Sequence, residues 1–116
     1  MPNQSMHLNQ VFQALADPTR RAVLEQLSRG PMSTLHLARP FDMALPSFTQ
    51  HLGVLEKFGL VKSKKSGRVR TYTLAPRGLR AAEAWMMDQR EVWQRRLDQL
   101  DAYLITMKES DDDNEE

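Results

Sequence analysis

The chain contains no cysteine, only five glycines, and few aromatic residues. Without cysteine it can form neither a disulfide framework nor a thiolate metal site, and it has no cysteine nucleophile. No stretch reaches the roughly 18 apolar residues that a membrane span needs. The N-terminal ten residues lack a basic region followed by an apolar run, so we expect no signal peptide. A chain of 116 residues with these absences is predicted to be a single cytoplasmic domain.

Patterns for catalysis and metal binding are also absent. The sequence has no glycine-rich phosphate loop and no nucleophile elbow. Its three histidines, His7, His36 and His51, lie on three separate predicted elements, and the last helix contains none. Such a scattered set is not a transition-metal ligand cluster. We therefore predict no enzyme, no metal site and no cofactor.

Acidic residues are unevenly distributed along the chain. The 16 basic and 15 acidic residues give a net charge of +1, but six of the acids lie in the last eight residues. Residues 1–108 therefore carry nine acids against 16 bases, a net charge of +7. A basic body of this kind predicts an anionic partner. The tail over 108–116 is predicted to be disordered, because ESDDDNEE contains no apolar residue.

The basic charge concentrates in one interval, since no acid stands between Glu56 and Glu83. A phosphate backbone would supply the counter-charge that this interval lacks. The alternative is a solvated loop whose charges keep a sheet edge from pairing. The cations of the interval are Lys57, Lys62, Lys64, Lys65, Arg68, Arg70, Arg77 and Arg80.

Hydrophobic periodicity and helix breakers predict the order of the elements. Residues 1–6 are predicted to be a flexible N-terminus. Two strands with basic residues around a Ser-Gly turn pair follow a series of helices, which describes a winged helix-turn-helix: mainly α with a small β-hairpin. The predicted elements are helices over 7–16 and 18–28, a short helix capped by Ser33 or Thr34, a helix over 45–58, strands over 60–65 and 69–74, and a helix over 76–107.

The helix over 45–58 has one apolar and one polar face. Leu45, Phe48, Leu52 and Leu55 fall on one predicted buried stripe. The opposite face presents Ser47, Gln50 and Lys57. Neutral donor–acceptor side chains suit the reading of base edges in a major groove, with charges at the periphery for phosphates. The alternative is an ordinary polar helix face.

Thr49 and His51 lie at the margin of this polar face, and the sequence does not decide their roles. Thr49 can reach a phosphate. His51 lies between the buried stripe and the outer face, so it can contact DNA or hydrogen-bond the scaffold.

The last helix carries an apolar seam. Leu79, Met86, Trp93, Leu100 and Met107 repeat at intervals of seven residues, and Leu97 and Leu104 flank them. A heptad seam of this length predicts a partner helix. Trp85 and Trp93 lie on similar faces of this helix, where they can pack or frame a small-molecule effector site.

Three stretches resemble the ArsR-type winged-helix repressors: FQALADPTRRAVLEQL (12–27), SFTQHLGVLEKFGLV (47–61) and KKSGRVRTYTL (64–74). The resemblance covers residues 8–106. It implies a homodimer formed by the first and last helices, a recognition helix over 45–58 and a wing over 60–74. It also implies binding to a palindromic operator and release when an inducer binds.

The resemblance also implies which residues carry these contacts. For DNA they are Ser47, Thr49, Gln50 and His51 on the helix, with Lys64, Lys65, Arg68 and Arg70 in the wing. Lys57, from the charged periphery of the helix, is added as a further phosphate ligand. For the dimer they are Leu8, Val11 and Phe12 on the first helix and Met86, Trp93, Leu97, Leu100, Leu104 and Met107 on the last.

The sequence departs from the family at several positions. Metal-sensing members carry a cysteine motif on the short third helix, where this chain has STLHLAR. Others use an Asp/His set on the last helix, which here lacks histidine. Ala44 replaces a common capping serine, and Gly53 replaces a common lysine.

Together these features predict a DNA-binding transcriptional regulator. We expect a homodimeric repressor whose partners are double-stranded DNA, a second copy of itself and a small-molecule effector, with no membrane. One alternative is a winged-helix protein-interaction module without specific DNA binding. Another is a metal-responsive repressor, which the ligand count argues against.

Overall fold

The computed structural model describes the backbone of residues 2–114 and the side chains of residues 6–111. The fold is mainly helical with a small antiparallel sheet, as predicted. Within the described chain, contacts define two compact units, of which one ends at Ala82 and the other begins at Glu83. The elements are α1 (Pro2–Leu15), α2 (Pro18–Leu27), β1 (Met32–Ser33), α3 (Thr34–Ala38), α4 (Leu45–Lys57), β2 (Val61–Ser66), β3 (Val69–Leu74) and α5 (Pro76–Asn114).

Local capping explains where the short helices begin. Asp17 has extended backbone angles, and its carboxylate accepts a hydrogen bond from the Arg20 amide at 3.0 Å. Pro18 then occupies the first turn, where its missing N–H costs nothing. Ser33 caps α3 in the same way, since its hydroxyl oxygen accepts from the His36 amide at 3.2 Å. Both starts follow the sequence prediction.

The ends of the chain differ from the prediction. Helix α1 begins at Pro2, five residues before the predicted start at residue 7. Helix α5 continues to Asn114, seven residues beyond the predicted end at residue 107. No proline or glycine follows Gly78 in the sequence, so no helix breaker stands in this stretch. Met1, Glu115 and Glu116 lie outside the described residues.

The sheet has three strands in the order β1-β3-β2, all antiparallel. A two-residue loop joins β2 to β3, and its Gly67 has a φ of +63°. Strand β1 was not predicted. It consists of only two residues, which pair with Thr71 and Tyr72 of β3. A strand of two residues is too short to show an alternating pattern.

The core of the first unit lies between the helices and one face of the sheet. Phe48, Leu52 and Leu55 of α4 are fully buried, as the stripe predicts. Leu45 is 43% exposed, so the prediction that it belongs to this stripe is wrong. It is the first residue of α4, where the helix has only begun. The remaining core comes mainly from Val11, Ala14, Val23, Leu27, Leu37, Leu60, Val61, Tyr72 and Ala82.

None of the described helices has the length and hydropathy that crossing a bilayer requires.

Candidate nucleic-acid interface

The outer face of α4 presents small polar side chains to solvent. Ser47, Thr49 and Gln50 are all exposed, while the buried face of the helix holds α4 in the core. The hydroxyl of Thr49 donates a hydrogen bond to the Pro46 carbonyl oxygen at 2.9 Å. It can still accept one. Ser47 and Gln50, one turn apart, are therefore the accessible donor–acceptor groups near the N-terminal end of α4.

His51 lies against the start of α2. Its Nδ1 is 3.3 Å from Nη1 of Arg20 and 3.5 Å from Oδ2 of Asp17, and its side chain is 24% exposed. In the neutral ring with a bare Nδ1, this atom accepts from Arg20. A proton on Nδ1 would instead face the Asp17 carboxylate. Of the two roles left open by the sequence, these contacts correspond to the scaffold role.

The contacts of Asp17 determine the pKa of its carboxyl group. Burial alone raises the pKa of Asp17. The hydrogen bond from the Arg20 amide, the charges of His51 and Arg20, and the Thr19 amide together outweigh burial, so that its pKa falls below the ordinary value of 3.8. Asp17 is therefore held as an anion between α2 and α4.

Arg20 joins three helices, and it was not among the predicted site residues. Its Nε donates to the Ala14 carbonyl at 2.8 Å and its Nη2 to the Gln13 carbonyl at 3.1 Å. These carbonyls belong to the last turn of α1, whose acceptors have no partners within the helix. The same guanidinium meets His51 on α4. A signal for this role was the basic pair Arg20-Arg21 in the first turn of α2, close in sequence to the end of α1.

The cations of the hairpin are exposed around its loop. Lys64, Lys65 and Arg68 all lie on the surface, and the strand register places Lys65 directly opposite Arg70. Like charges directly opposite each other on a strand pair are destabilising. Lys57, at the end of α4, is exposed, and its Nζ lies 6.0 Å from the centroid of the Phe58 ring. All five predicted phosphate ligands lie on α4 and the hairpin, and all five are exposed.

Arg70 has a partner within the chain. Its Nη1 donates to the Ser63 hydroxyl oxygen at 2.8 Å, and that hydroxyl lies 2.9 Å from each carboxylate oxygen of Glu56. Glu56 and Ser63 were not among the predicted site residues. No local sequence pattern signals them, because the contact depends on how the hairpin packs on α4.

Tyr72 lies beside this group on β3. Burial and the charge of Glu56 raise the pKa of the Tyr72 phenol, against smaller opposing effects of Arg70 and of the Thr34 side chain. The phenol therefore stays neutral, and its ring belongs to the core.

The predicted dimer residues fall into two groups. Met86, Trp93, Leu97, Leu100, Leu104 and Met107 of α5 are between 47% and 60% exposed in the single chain. Leu8 and Phe12 of α1 are half-buried against the core. Val11 is fully buried there, so its side chain is not available to a partner, and its assignment to the dimer interface is corrected.

No group of three or more histidine, aspartate or glutamate side chains within residues 6–111 is arranged to hold a metal ion.

Comparison with known proteins identifies the family. A family described as "Helix-turn-helix domain" matches residues 15–64. The HTH-type transcriptional regulator Rv2034 of Mycobacterium tuberculosis is 40% identical over 89 residues, which span 77% of this chain and 80% of that protein. A crystal structure of an ArsR family transcriptional regulator is 53% identical and superposes with a TM-score of 0.73, covering 81% of this chain and 94% of that chain. The chain belongs to the ArsR family of transcriptional regulators.

Two further matches agree with this assignment. The transcriptional repressor SdpR of Bacillus subtilis is 32% identical to this ArsR-family chain over 81 residues, covering 70% of this chain and 90% of SdpR. An ArsR-like transcriptional regulator from Rhodococcus sp. RHA1 is 33% identical with a TM-score of 0.66, covering 82% and 90% of the two chains. The predicted family, the winged helix-turn-helix fold and the role of transcriptional regulator are confirmed.

Proposed function

We propose that this ArsR-family regulator is a homodimeric repressor that binds a palindromic operator through α4 and the β2–β3 hairpin. The observation that carries the proposal is the pairing of two surfaces in one unit. One is a recognition helix with small polar side chains exposed. The other is a hairpin with exposed cations, inside a sequence interval without acids.

Base reading is assigned to Ser47 and Gln50. Both are exposed near the N-terminal end of α4, the part of a recognition helix that meets base edges in the major groove. Glutamine can pair bidentately with adenine, and serine can donate or accept. Thr49 and His51 lie at the margin of this face, and His51 contributes mainly by holding α4 on α2.

Phosphate binding is assigned to the hairpin cations Lys64, Lys65 and Arg68, with Lys57 at the end of α4. Their exposure supports this assignment, and a phosphate near Lys65 would relieve its repulsion by Arg70 across the strand pair. Arg70 belongs to the same predicted set, although its guanidinium already donates to Ser63.

Dimer formation is assigned to the seam of α5, together with Leu8 and Phe12 of α1. From Met86 onward the seam side chains are about half exposed, along a helix whose apolar residues repeat every seven positions. An apolar stripe of this length in water favours a partner helix. A two-fold dimer would place its recognition helices on half-sites about one helical turn, roughly 34 Å, apart.

The proposal also covers the sign of regulation, the cellular compartment and the small-molecule effector. The relative SdpR is named as a transcriptional repressor, which supports the same sign of regulation here. A protein that acts on promoter DNA works where that DNA is held, which supports the predicted cytoplasmic location. A small-molecule effector at the dimer interface would lower operator affinity, and the indoles of Trp85 and Trp93 would report its binding by fluorescence.

The proposal is tested by selecting binding sites for the full-length protein from a random duplex pool, followed by footprinting on the recovered sequence. We expect a protected palindrome with two half-sites one helical turn apart. Gln50→Ala should reduce discrimination between the selected site and its single-base variants by about 1–3 kcal/mol, while random duplex still binds.

A second measurement follows the salt dependence of binding to the selected duplex. Replacing Lys64, Lys65 and Arg68 by alanine should flatten the slope of log K against log salt by about 0.9 per lost phosphate contact. An unchanged slope would contradict the wing assignment. If no duplex is retained even at low salt, the chain is a winged-helix protein-interaction module instead.

A further inference from the structure

Three side chains connect the recognition helix to both strands of the wing. Glu56 lies in the last turn of α4, Ser63 on β2 and Arg70 on β3. The guanidinium of Arg70 donates to the Ser63 hydroxyl at 2.8 Å, and this hydroxyl donates to the Glu56 carboxylate at 2.9 Å. We call these three residues the α4–wing bridge. A serine hydroxyl can accept from one group while it donates to another, which is what this chain of contacts requires.

The strand register explains why these residues meet. Ser63 pairs with Tyr72, and Lys65 pairs with Arg70. Because side chains alternate along a strand, Ser63 and Arg70 share the face of the hairpin on which Tyr72 is buried. Arg70 therefore reaches diagonally to Ser63, on the side of the hairpin that packs against α4.

The positions of the charged residues indicate what the α4–wing bridge does. Glu56 is the last acid before the acid-free interval, and it lies at the edge of the proposed DNA-binding surface. A carboxylate there attracts a neighbouring cation of the hairpin. The register also sets Arg70 opposite Lys65, a repulsive pair. Through Ser63, the bridge brings Arg70 towards Glu56, so that each charge has a nearby counter-charge.

We propose that the α4–wing bridge sets the position of the wing relative to the recognition helix, and that Arg70 acts in it as a positioning residue rather than a phosphate ligand. This inference rests on the proposed DNA-binding function. The hairpin cations then fall into two groups with different roles. Lys64, Lys65 and Arg68 contact phosphates, whereas Arg70 holds the wing where those contacts match the register that α4 reads.

Loss of a phosphate ligand and loss of a positioning residue should affect DNA binding differently. A phosphate ligand contributes to binding on any sequence, and its loss flattens the salt dependence. A positioning residue matters only when α4 and the wing engage together, as on a specific site. Loss of the bridge should therefore lower operator affinity while the affinity for random duplex and the salt slope stay near their wild-type values.

The central test uses Ser63→Val and Ser63→Thr, which have nearly the same shape and both suit a strand, but only threonine keeps a hydroxyl. Binding of the full chain is measured on the duplex selected from a random pool and on random duplex, with thermal unfolding as a control. We expect Ser63→Val to lower affinity for the selected duplex about tenfold, the loss expected when charge-assisted hydrogen bonds are removed. Ser63→Thr should restore it to within about twofold.

Arg70→Met and Arg68→Met form a second pair of variants, one near the start of β3 and one in the loop before it. Arg68→Met should flatten the salt slope by about 0.9, and Arg70→Met by less than half of that. Combining Arg70→Met with Ser63→Val should cost little more than either change alone, because both break the same bridge.

Three outcomes would overturn the inference. One is equal binding by the Ser63→Val and Ser63→Thr variants, and another is a salt slope for Arg70→Met as flat as that for Arg68→Met. Either result, with a wild-type protein that selects a palindrome, leaves the proposed function intact. Failure of the wild-type protein to retain any duplex would instead overturn both the function and the inference.

Discussion

At the scale of single residues, two glycines decide how closely α5 approaches the turn between α4 and β2. Gly59 ends α4 with a φ of +80°, a conformation that residues with a side chain rarely adopt. Gly78, in the first turn of α5, lies directly against it. A Cβ on Gly78 would stand 2.0 Å from the Gly59 carbonyl oxygen and 2.6 Å from its carbon. Since both are backbone atoms, a side chain at this position would force the turn to move.

Gly78→Ala is therefore expected to lower the free energy of unfolding by about 1–3 kcal/mol or more, the usual cost of overpacking. Gly53→Ala is the matched control, because a Cβ on this glycine of α4 would have no atom within 4 Å. It should raise the free energy of unfolding by about 0.5–1 kcal/mol, since alanine has the higher helix propensity. Denaturant unfolding of both variants measures the difference, and a stable Gly78→Ala protein would contradict the packing argument.

Asp17 should make stability depend on pH in the acid range. Its pKa is lower in the folded chain than its ordinary value of 3.8. Ionised Asp17 therefore stabilises the fold above about pH 4, and this contribution disappears as the pH falls through the folded pKa. Asp17→Asn keeps an oxygen that can cap α2 but removes the charge.

The wild-type protein should consequently exceed Asp17→Asn in free energy of unfolding at neutral pH. The gap should narrow as the pH falls below about 4. Unfolding by denaturant between neutral pH and about pH 2 measures it. A gap that stays constant over this range would show that the charge of Asp17 has no part in stability.

At the scale of elements, α4 starts without the cap that the other short helices have. Ala44 has the extended backbone angles of an N-cap, with φ −63° and ψ 143°, but makes no side-chain cap bond. Pro46 in the first turn has no N–H, so the Ser47 amide is the group a cap would satisfy. Ala44→Ser should therefore raise the free energy of unfolding by about 0.5–1 kcal/mol.

The reverse change at an existing cap provides the comparison. Ser33→Ala removes the hydrogen bond from the His36 amide at the start of α3 and should lower stability by a similar amount. Thermal unfolding followed by circular dichroism measures both. No gain from Ala44→Ser beside a clear loss from Ser33→Ala would mean that the start of α4 is satisfied in another way.

The elements also differ in how far the sequence predicts them. Helices α2, α3 and α4 start at or within a residue of their predicted positions, since Asp, Ser and Pro act on the neighbouring backbone. Strand β1 was not predicted, because its two residues form a strand only through pairing with β3. Leu45 fits the periodicity of α4, yet no neighbouring element covers it.

At the scale of the whole molecule, the seam of α5 offers a direct test of self-association. Leu104 lies in the seam, and its neighbour Ile105 points about 100° away around the helix. The two side chains are similarly exposed in the single chain, at 52% and 58%. They therefore form a matched pair in which the side chains differ mainly in direction.

Leu104→Glu should raise the dimer dissociation constant at least about 100-fold, because it would bury an unpaired charge at the interface. Ile105→Glu should leave the dimer intact. Analytical ultracentrifugation of both variants measures this, and binding to the selected duplex should follow the dimer. If both variants dissociate alike, or neither does, the seam is not the interface.

Local sequence signals determined the starts of α2, α3 and α4, the helical periodicity of α4, the hairpin and the basic interval, because each depends on residues a few positions apart. The ArsR resemblance rested on the three stretches over 12–27, 47–61 and 64–74. Tertiary structure alone decided the contacts that combine distant residues: the approach of Gly78 to Gly59, the meeting of His51 with Asp17 and Arg20, and the α4–wing bridge. These depend on the packing of helix against helix and of hairpin against helix, and no spacing along the chain specifies that packing.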